Sequence, residues 1–260
     1  MKEKIWYLRN DFTKLPAKDI LESTLEDDRK NYDRAITELE QEIKILDEAI
    51  ILFIQSLQAA YIQIDKWKTN NSNRASIAML VSVLNYILVA RHMVLLGYFP
   101  EIQEILRSCH ERTSRSYLFF YSLEYANKFL SGEQIKQATV DDELSKLEKD
   151  PDKKSDIYRD LRKYYRDYLS GVAHPNLKSF EYRNGSEDLS SRVGLYPLLG
   201  GIMSSERGYI VITIILQTTL VALRLFKAMI EGESGEWDTR FEALNRKYKE
   251  MMNKIVSNNM

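Results

Sequence analysis

The sequence is poor in cysteine, and it has no excess of either charge. Cys109 is the only cysteine among 260 residues, which excludes an intrachain disulfide framework and favours a reducing compartment. The 37 lysines and arginines are matched by 38 aspartates and glutamates. Because the chain has no overall basic field, any binding of nucleic acid must come from a local basic patch.

A long apolar run is also lacking. The longest, residues 209–223, is interrupted by Gln217, Thr218 and Thr219. It would form a helix of about 22 Å, whereas the core of a bilayer is about 30 Å thick. The first residues, MKEKIWYLRNDF, do not contain the apolar segment of a signal peptide. We therefore expect a cytoplasmic protein without membrane contact, in which residues 209–223 form a buried helix.

Sequence motifs for several classes of active site are missing. The chain contains no HExxH, no Glu-x-x-His, no CxxC, no glycine-rich phosphate loop and no GxSxG. Its three histidines, His92, His110 and His174, are far apart in sequence. We therefore expect no metal ion and no other cofactor, which leaves acid–base chemistry as the class of catalysis to consider.

Glycine and proline are scarce in the first third of the chain. No glycine precedes Gly97, and no proline lies between Pro16 and Pro100, so helices can run there without interruption. Two prolines and four glycines fall within residues 175–204. We expect an all-α helical bundle that forms a single domain over residues 1–260. It would have a long N-terminal helix at 17–68 and one long irregular loop at 175–204.

The N-terminal helix carries a heptad pattern. Apolar residues recur at alternating steps of four and three from Tyr32 to Trp67, and acidic residues flank the first half. The apolar positions are Tyr32, Ile36, Leu39, Ile43, Leu46, Ile50, Phe53, Leu57, Ala60, Ile64 and Trp67. This pattern predicts pairing with another helix. The partner could be a second copy of the chain or a later helix of the same chain.

Further helices are predicted by apolar periodicity and by the breaks between them. They cover residues 75–96, 101–130, 141–148, 158–174, 206–230 and 237–256. In the helix at 101–130, a polar ladder of Glu104, Arg107, Glu111 and Arg115 lies opposite the apolar stripe. We assign His110 to this ladder. Such a ladder is either a solvated surface or, if another helix covers it, a buried site around Arg107 and Glu111.

The most distinctive stretch is YRDLRKYYRDYLSGVAHP, residues 158–175. Steps of four place Arg162, Arg166, Ser170 and His174 in one line along the predicted helix, with Lys163 beside it. Carbonyl groups at a helix C-terminus favour the protonated imidazole, so His174 could attract phosphate and transfer a proton. The alternative is a solvated basic face that ends in a helix-capping histidine.

Two segments resemble a pattern found in uncharacterised all-helical prokaryotic proteins. The segments are GYFPEIQEILRSCHE and YRDYLSGVAHP. The pattern consists of a Gly-Tyr pair, an arginine four residues before a glutamate, and a serine four residues before a His-Pro pair, here Gly97, Tyr98, Arg107, Glu111, Ser170, His174 and Pro175. The resemblance implies a helical fold and no particular activity.

The helix that ends in a histidine also resembles the HEPN superfamily of helical bundles. That resemblance implies a dimer, metal-independent ribonuclease activity and a role in toxin or phage-defence systems. The HEPN motif has an arginine five to seven residues before the histidine, whereas Asp167, Tyr168 and Leu169 occupy those positions here and Arg166 lies eight before His174. The chain would be either a nuclease with a shifted arginine or an inactive relative that only binds.

The leading hypothesis from the sequence is therefore a protein that acts on RNA, whose 2′-hydroxyl supplies the nucleophile. His174 and Arg166 are the candidate catalytic residues, and the candidate substrate-binding residues are Arg162, Lys163, Ser170, Arg107 and Glu111. The competing hypothesis is a non-catalytic interaction module that forms a homodimer or binds a protein partner through its long helix. A third is a small-molecule pocket around Arg107 and Glu111.

Overall fold

The computed structural model describes residues 16–63, 70–147, 204–229 and 235–258. Across these ranges the chain contains no strand and eight helices pack together, which confirms the predicted all-α bundle. The helices are α1 (Ala17–Glu38), α2 (Glu40–Ile62), α3 (Asn71–Leu96), α4 (Phe99–Tyr121), α5 (Leu123–Leu130), α6 (Gln137–Leu147), α7 (Ser205–Met229) and α8 (Gly235–Asn258). The predicted helix at 158–174 lies outside the described residues, and so does the predicted loop at 175–204 except for Ser204.

The long N-terminal helix is divided at Leu39. This residue has φ −120° and ψ 24°, outside the helical region, so α1 ends before it and α2 begins after it. The backbone hydrogen bonds nevertheless continue through it, from Leu39 to Ala35 and from Ile43 to Leu39, both at 2.9 Å. The division is therefore a kink. Leu39 itself is buried, which places the bend against the core.

The heptad stripe of α2 is covered by later helices of the same chain. Ile43, Leu46, Ile50, Phe53, Leu57 and Ala60 are all buried. The ring of Phe53 lies edge-on to that of Phe226 in α7, with 5.3 Å between their centroids. Helix α2 also packs on α3 and α8. Of the two partners that the sequence allows, a second copy or a later helix of the same chain, the α2 half of the stripe therefore has the later helices. The α1 half differs, because Tyr32 and Ile36 are exposed.

Helices α3 and α4 make the most extensive helix–helix contact among the described residues. The side chain of Asn70 caps α3 by accepting from the backbone N–H of Asn73, and Gly97 ends the helix with φ 80°. Where the start of α3 packs on the end of α4, the hydroxyl of Ser76 donates to the backbone carbonyl of Ser116, and the hydroxyl of Ser116 donates to the backbone carbonyl of Ser76, both at 2.9 Å. Small residues at this crossing let the two backbones approach closely.

The predicted helix at 101–130 is interrupted at Ser122. This residue is extended, with φ −134° and ψ 103°, so the chain turns and α5 folds back on α4. The turn stacks the ring of Phe129 on that of Phe119 at 4.9 Å between centroids. Helix α6 then packs on α4 through buried Val140 and Leu144.

Helix α7 lies at the centre of the described bundle, and most of its side chains are buried. The hydroxyls of Thr213, Thr218 and Thr219 donate to carbonyls one turn earlier, so these polar groups are paired within the helix. Helix α8 is fixed by Trp237, whose Nε1 donates to Ser56 Oγ at 2.9 Å.

Three of the described helices are long and apolar enough to cross a membrane by length and composition: α2, α3 and α7. The helix that contains residues 209–223 has 25 residues, so it is longer than the apolar run, and the prediction that it is too short to cross a bilayer is wrong. In the most apolar window of α7, 78% of the residues are buried inside the protein, against 44% for α2 and 39% for α3. As predicted, α7 is a core helix, whereas α2 and α3 have apolar residues on the outside.

Gly132, after α5, provides a test of the backbone in this region. It has φ +86°, and an added Cβ would meet nothing within 4 Å, so backbone strain is the only expected cost of a side chain there. We expect Gly132→Ala to lower the free energy of unfolding by about 1 kcal/mol. Gly235→Ala is the matched control, because a Cβ there is also in open space and φ is not positive. Equal urea midpoints for the two variants would contradict a strain cost at Gly132.

Candidate functional site

Helix α4 carries a row of polar residues directly beside its apolar stripe. At about 100° per residue, Gln103, Arg107, His110 and Ser114 fall within about 60° of one another. The neighbouring stripe is the predicted one: Ile102, Leu106, Cys109, Thr113 and Tyr117 are buried, and Phe120 is partly buried against the core. The polar row therefore lies where a bundle helix normally continues its apolar face.

Most of this row is buried. The exposed fraction is 3% for Gln103, 2% for His110 and 0% for Ser114. Among the described residues, Gln103 Oε1 and Ser114 Oγ are buried atoms to which no protein group makes a hydrogen bond. A buried polar atom without a partner costs about 1–3 kcal/mol. Such costs are tolerated mainly where function requires the polar group.

An ion-pair network of Arg107, Glu111 and Arg115 lies along the accessible edge of the polar row. Arg107 Nε donates to Glu111 Oε1 at 3.1 Å, and Arg115 Nη1 lies 3.8 Å from Glu111 Oε2. The predicted ladder is thus present at these positions. The side chains of these three residues are 31%, 24% and 23% exposed, so the network is neither fully solvated nor fully buried. The carboxylate of Glu111 orients Arg107 while two guanidinium groups keep the edge locally positive.

Arg112, on the other side of α4, has a structural role. Its Nε donates to Ser82 Oγ at 2.8 Å, and its Nη2 donates to the hydroxyl of Tyr86 at 3.2 Å. The guanidinium also lies 4.4 Å from the centre of the Tyr86 ring. These contacts fasten α4 to α3. Arg107 and Arg115 are therefore the arginines of α4 that face the candidate site.

His110, which the sequence analysis assigned to the ladder, is buried, so it does not lie on a solvated surface. It lies on the inner edge of the polar row, where burial lowers the pKa of its imidazole to about 3. The imidazole is therefore neutral near pH 7 and cannot serve there as a general acid. Burial likewise raises the pKa of the Cys109 thiol to about 12, so this cysteine is not a reactive thiolate.

Of the residues selected from the sequence, the structure places two, Arg107 and Glu111, and brings them into contact. The others, His174, Arg166, Arg162, Lys163 and Ser170, lie outside the described residues. Gln103 and Ser114 are not among the residues predicted from the sequence. Their spacing with Arg107 and His110, at steps of four, three and four, was the available signal, but polar residues at such spacing usually indicate a solvent-facing side.

In the four described segments, no group of three or more His, Cys, Asp or Glu side chains is arranged to hold a metal ion. The chemistry that the ion-pair network of α4 can supply is the binding of an anion by Arg107 and Arg115, with Glu111 holding the arginines in place.

Together, the fold and this row define a helical-bundle protein with a partly buried, polar helix face. Comparison with known proteins assigns it no further: no family model, no curated protein and no solved structure matches the chain.

Proposed function

We propose that the chain is a cytoplasmic, HEPN-like helical protein that cleaves RNA without a metal ion. In this proposal His174 is the acid–base group, and the arginines of its segment, Arg166 and Arg162, bind the phosphate together with Lys163. Ser170 and the Arg107–Glu111 pair of α4 complete the substrate-binding set. The HEPN resemblance would place the protein in a toxin or phage-defence system.

The observation that best supports this function is the position of the Arg107–Glu111–Arg115 network. It is about a quarter exposed and backed by buried Gln103 and Ser114. A surface ion-pair ladder needs no such backing, since exposed pairs contribute only a few tenths of a kcal/mol. A preorganised pair of guanidinium groups, partly withdrawn from water, is what a phosphodiester anion requires.

The chemistry needs no group beyond these residues and the RNA. The 2′-oxygen attacks the adjacent phosphorus as its proton passes to a base, the P–O5′ bond breaks, and the leaving 5′-oxygen receives a proton. The products are a 2′,3′-cyclic phosphate and a 5′-hydroxyl end. His174 would transfer protons, while the arginines would stabilise the negative charge that develops on the phosphoryl oxygens.

The test is cleavage of end-labelled RNA by the purified full chain in EDTA. We expect His174→Ala to lower the cleavage rate by about 10²- to 10⁴-fold, the usual contribution of a general acid or base. His92→Ala is the matched control, since His92 is exposed on α3 and should leave the rate unchanged. Cleavage by the wild type should leave a 2′,3′-cyclic phosphate on the upstream fragment and a 5′-hydroxyl on the downstream fragment.

Two results would refute the proposal. Equal cleavage by the wild type and His174→Ala would remove His174 from the chemistry. Absence of cleavage by the wild type, with RNAs of single-stranded, hairpin and tRNA type, would favour the non-catalytic interaction module instead. RNA binding without cleavage would identify an inactive, binding relative.

A further inference from the structure

Gln103 is buried on the same face of α4 that carries the Arg107–Glu111–Arg115 network. Its exposed fraction is 3%, and within the described parts of the chain its Oε1 has no hydrogen-bond partner. The carbonyl oxygen of a side-chain amide accepts hydrogen bonds and cannot donate them. Folding therefore encloses an acceptor that an N–H group of a bound ligand can satisfy.

The amide of Gln103 lies close to the phosphate-binding edge of the helix. Four residues separate Gln103 from Arg107, which corresponds to about 6 Å along the helix axis and about 40° around it. Exposure increases across this face, from buried Gln103 through half-buried Arg107 to exposed Glu104. A ligand whose anionic end binds Arg107 at the accessible edge therefore extends its other end inward, toward the amide of Gln103.

A nucleotide has this arrangement of chemical groups. Its phosphate is the anion, and its base carries hydrogen-bonding groups at the opposite end. Adenine is the base that suits a glutamine amide, because its N6 amino group donates to the amide oxygen while its N7 accepts from the amide nitrogen. Guanine presents two acceptors, O6 and N7, at the same edge, so it leaves Oε1 without a donor.

The hydroxyls of Thr113 and Ser114 do not provide such selection. Both residues are fully buried, and among the described residues neither hydroxyl has a hydrogen-bond partner. A hydroxyl donates as well as accepts, so it does not distinguish an amino group from a carbonyl group. Both residues also lie at least about 15 Å from Gln103 along the helix axis. Selection of the base therefore depends on Gln103.

We propose that Gln103 selects an unpaired adenine in the substrate. The N6 amino group of the base donates to Oε1, the Nε2 group of the same amide donates to N7, and Arg107 and Arg115 bind the phosphate. In double-stranded RNA this edge of the base lies in a deep and narrow groove that side chains do not enter, so the adenine must be unpaired. This inference rests on the proposed function for its substrate, RNA, and adds the identity of the base.

Binding of mononucleotides to the full chain tests the selection without cleavage. Adenosine 5′-monophosphate and purine riboside 5′-monophosphate differ only in the N6 amino group, which the second nucleotide lacks. We expect the wild type to bind the adenosine nucleotide at least about fivefold more tightly in isothermal titration calorimetry, the lower end for a bidentate contact between an amide and a base. Equal values of Kd, or no binding of either nucleotide, would overturn the proposal.

Gln103→Met removes the amide and keeps a side chain of similar length. We expect this variant to bind the two nucleotides equally, and its urea midpoint not to fall, because an unpaired buried amide is lost. Gln58→Met, at an exposed position of α2, should keep the wild-type ratio. Arg107→Gln should weaken both nucleotides alike, since it removes a phosphate contact. A wild-type ratio in Gln103→Met would overturn the role of Gln103.

Cleavage of RNA in EDTA separates this inference from the proposed function. We expect cleavage next to a single adenosine in a uridine tract, and a rate at least about fivefold lower when guanosine replaces that adenosine. Cleavage without preference for a base would overturn the selection of adenine and leave the proposed function standing. Selective binding of the adenosine nucleotide without cleavage of any RNA would refute the proposed function and support the adenine site.

Discussion

Replacing Phe53 by alanine is expected to lower the free energy of unfolding by about 3–5 kcal/mol, the cost of removing a fully buried phenyl ring. The ring is 0% exposed and contacts Phe226, which is also 0% exposed. Phe226→Ala should cost a similar amount. The double variant should cost less than the sum of the two, because a contacting aromatic pair contributes about 0.5–1.5 kcal/mol beyond its buried area.

Urea unfolding of the four proteins at one fixed concentration measures this cycle. Tyr61→Ala is the control on the same helix, because Tyr61 is 52% exposed and should change stability by less than about 0.5 kcal/mol. A loss below about 1 kcal/mol for Phe53→Ala would contradict the packing of α2 on α7. That result would instead mean that the Phe53 ring is not enclosed in the core.

The second large effect concerns acid. The pKa of His110 is lowered from 6.5 to about 3 in the folded protein by burial. Between these two values the unfolded chain binds a proton that the folded chain does not, so stability falls as the pH decreases below about 6.5. The slope is about 1.4 kcal/mol per pH unit, which amounts to about 3 kcal/mol between pH 7 and pH 4.5.

Carboxylates also contribute to acid unfolding. The contribution of His110 is therefore obtained from the difference in stability between the wild type and a variant without this histidine. We expect the stability gap between the wild type and His110→Gln to shift by about 3 kcal/mol in favour of the variant between pH 7 and pH 4.5. His92→Gln, at an exposed position of α3, should show no such shift. A constant gap for His110→Gln would mean that the imidazole is not buried.

The fold was predictable where it follows from periodicity alone. The apolar stripes of α2 and α4 and the end of α3 at Gly97 come from local sequence signals, and the structure agrees with them. The start of α3 was predicted less well, because the helix begins at Asn71, four residues before the predicted start at residue 75. Two breaks were not predictable. Leu39 and Ser122 leave the helical region without a proline or glycine, so these bends depend on tertiary packing, which no local pattern encodes.

The candidate site was predictable only in part. Four-residue spacing was enough to predict the Arg107–Glu111 pair, because neighbours on one helix face require no knowledge of the fold. The burial of Gln103, His110 and Ser114 depends on what covers α4, and a polar row looks like a solvated surface in the sequence. The assignment of roles to His174 and Arg166 stays a prediction, since both lie outside the described residues.

The proposed role of α4 in RNA cleavage has its most direct test in the single-turnover cleavage rate of Arg107→Gln in EDTA. We expect a loss of about 10²-fold or more, the cost of removing one preorganised donor to a charged transition state. Arg74→Gln, at an exposed position near the start of α3, should keep the rate within about twofold of the wild type, as expected of a remote surface change. Arg107→Lys, which keeps the charge but not the planar fork, should retain part of the activity. A wild-type rate for Arg107→Gln, with stability unchanged, would contradict the assignment of this helix face to the active site.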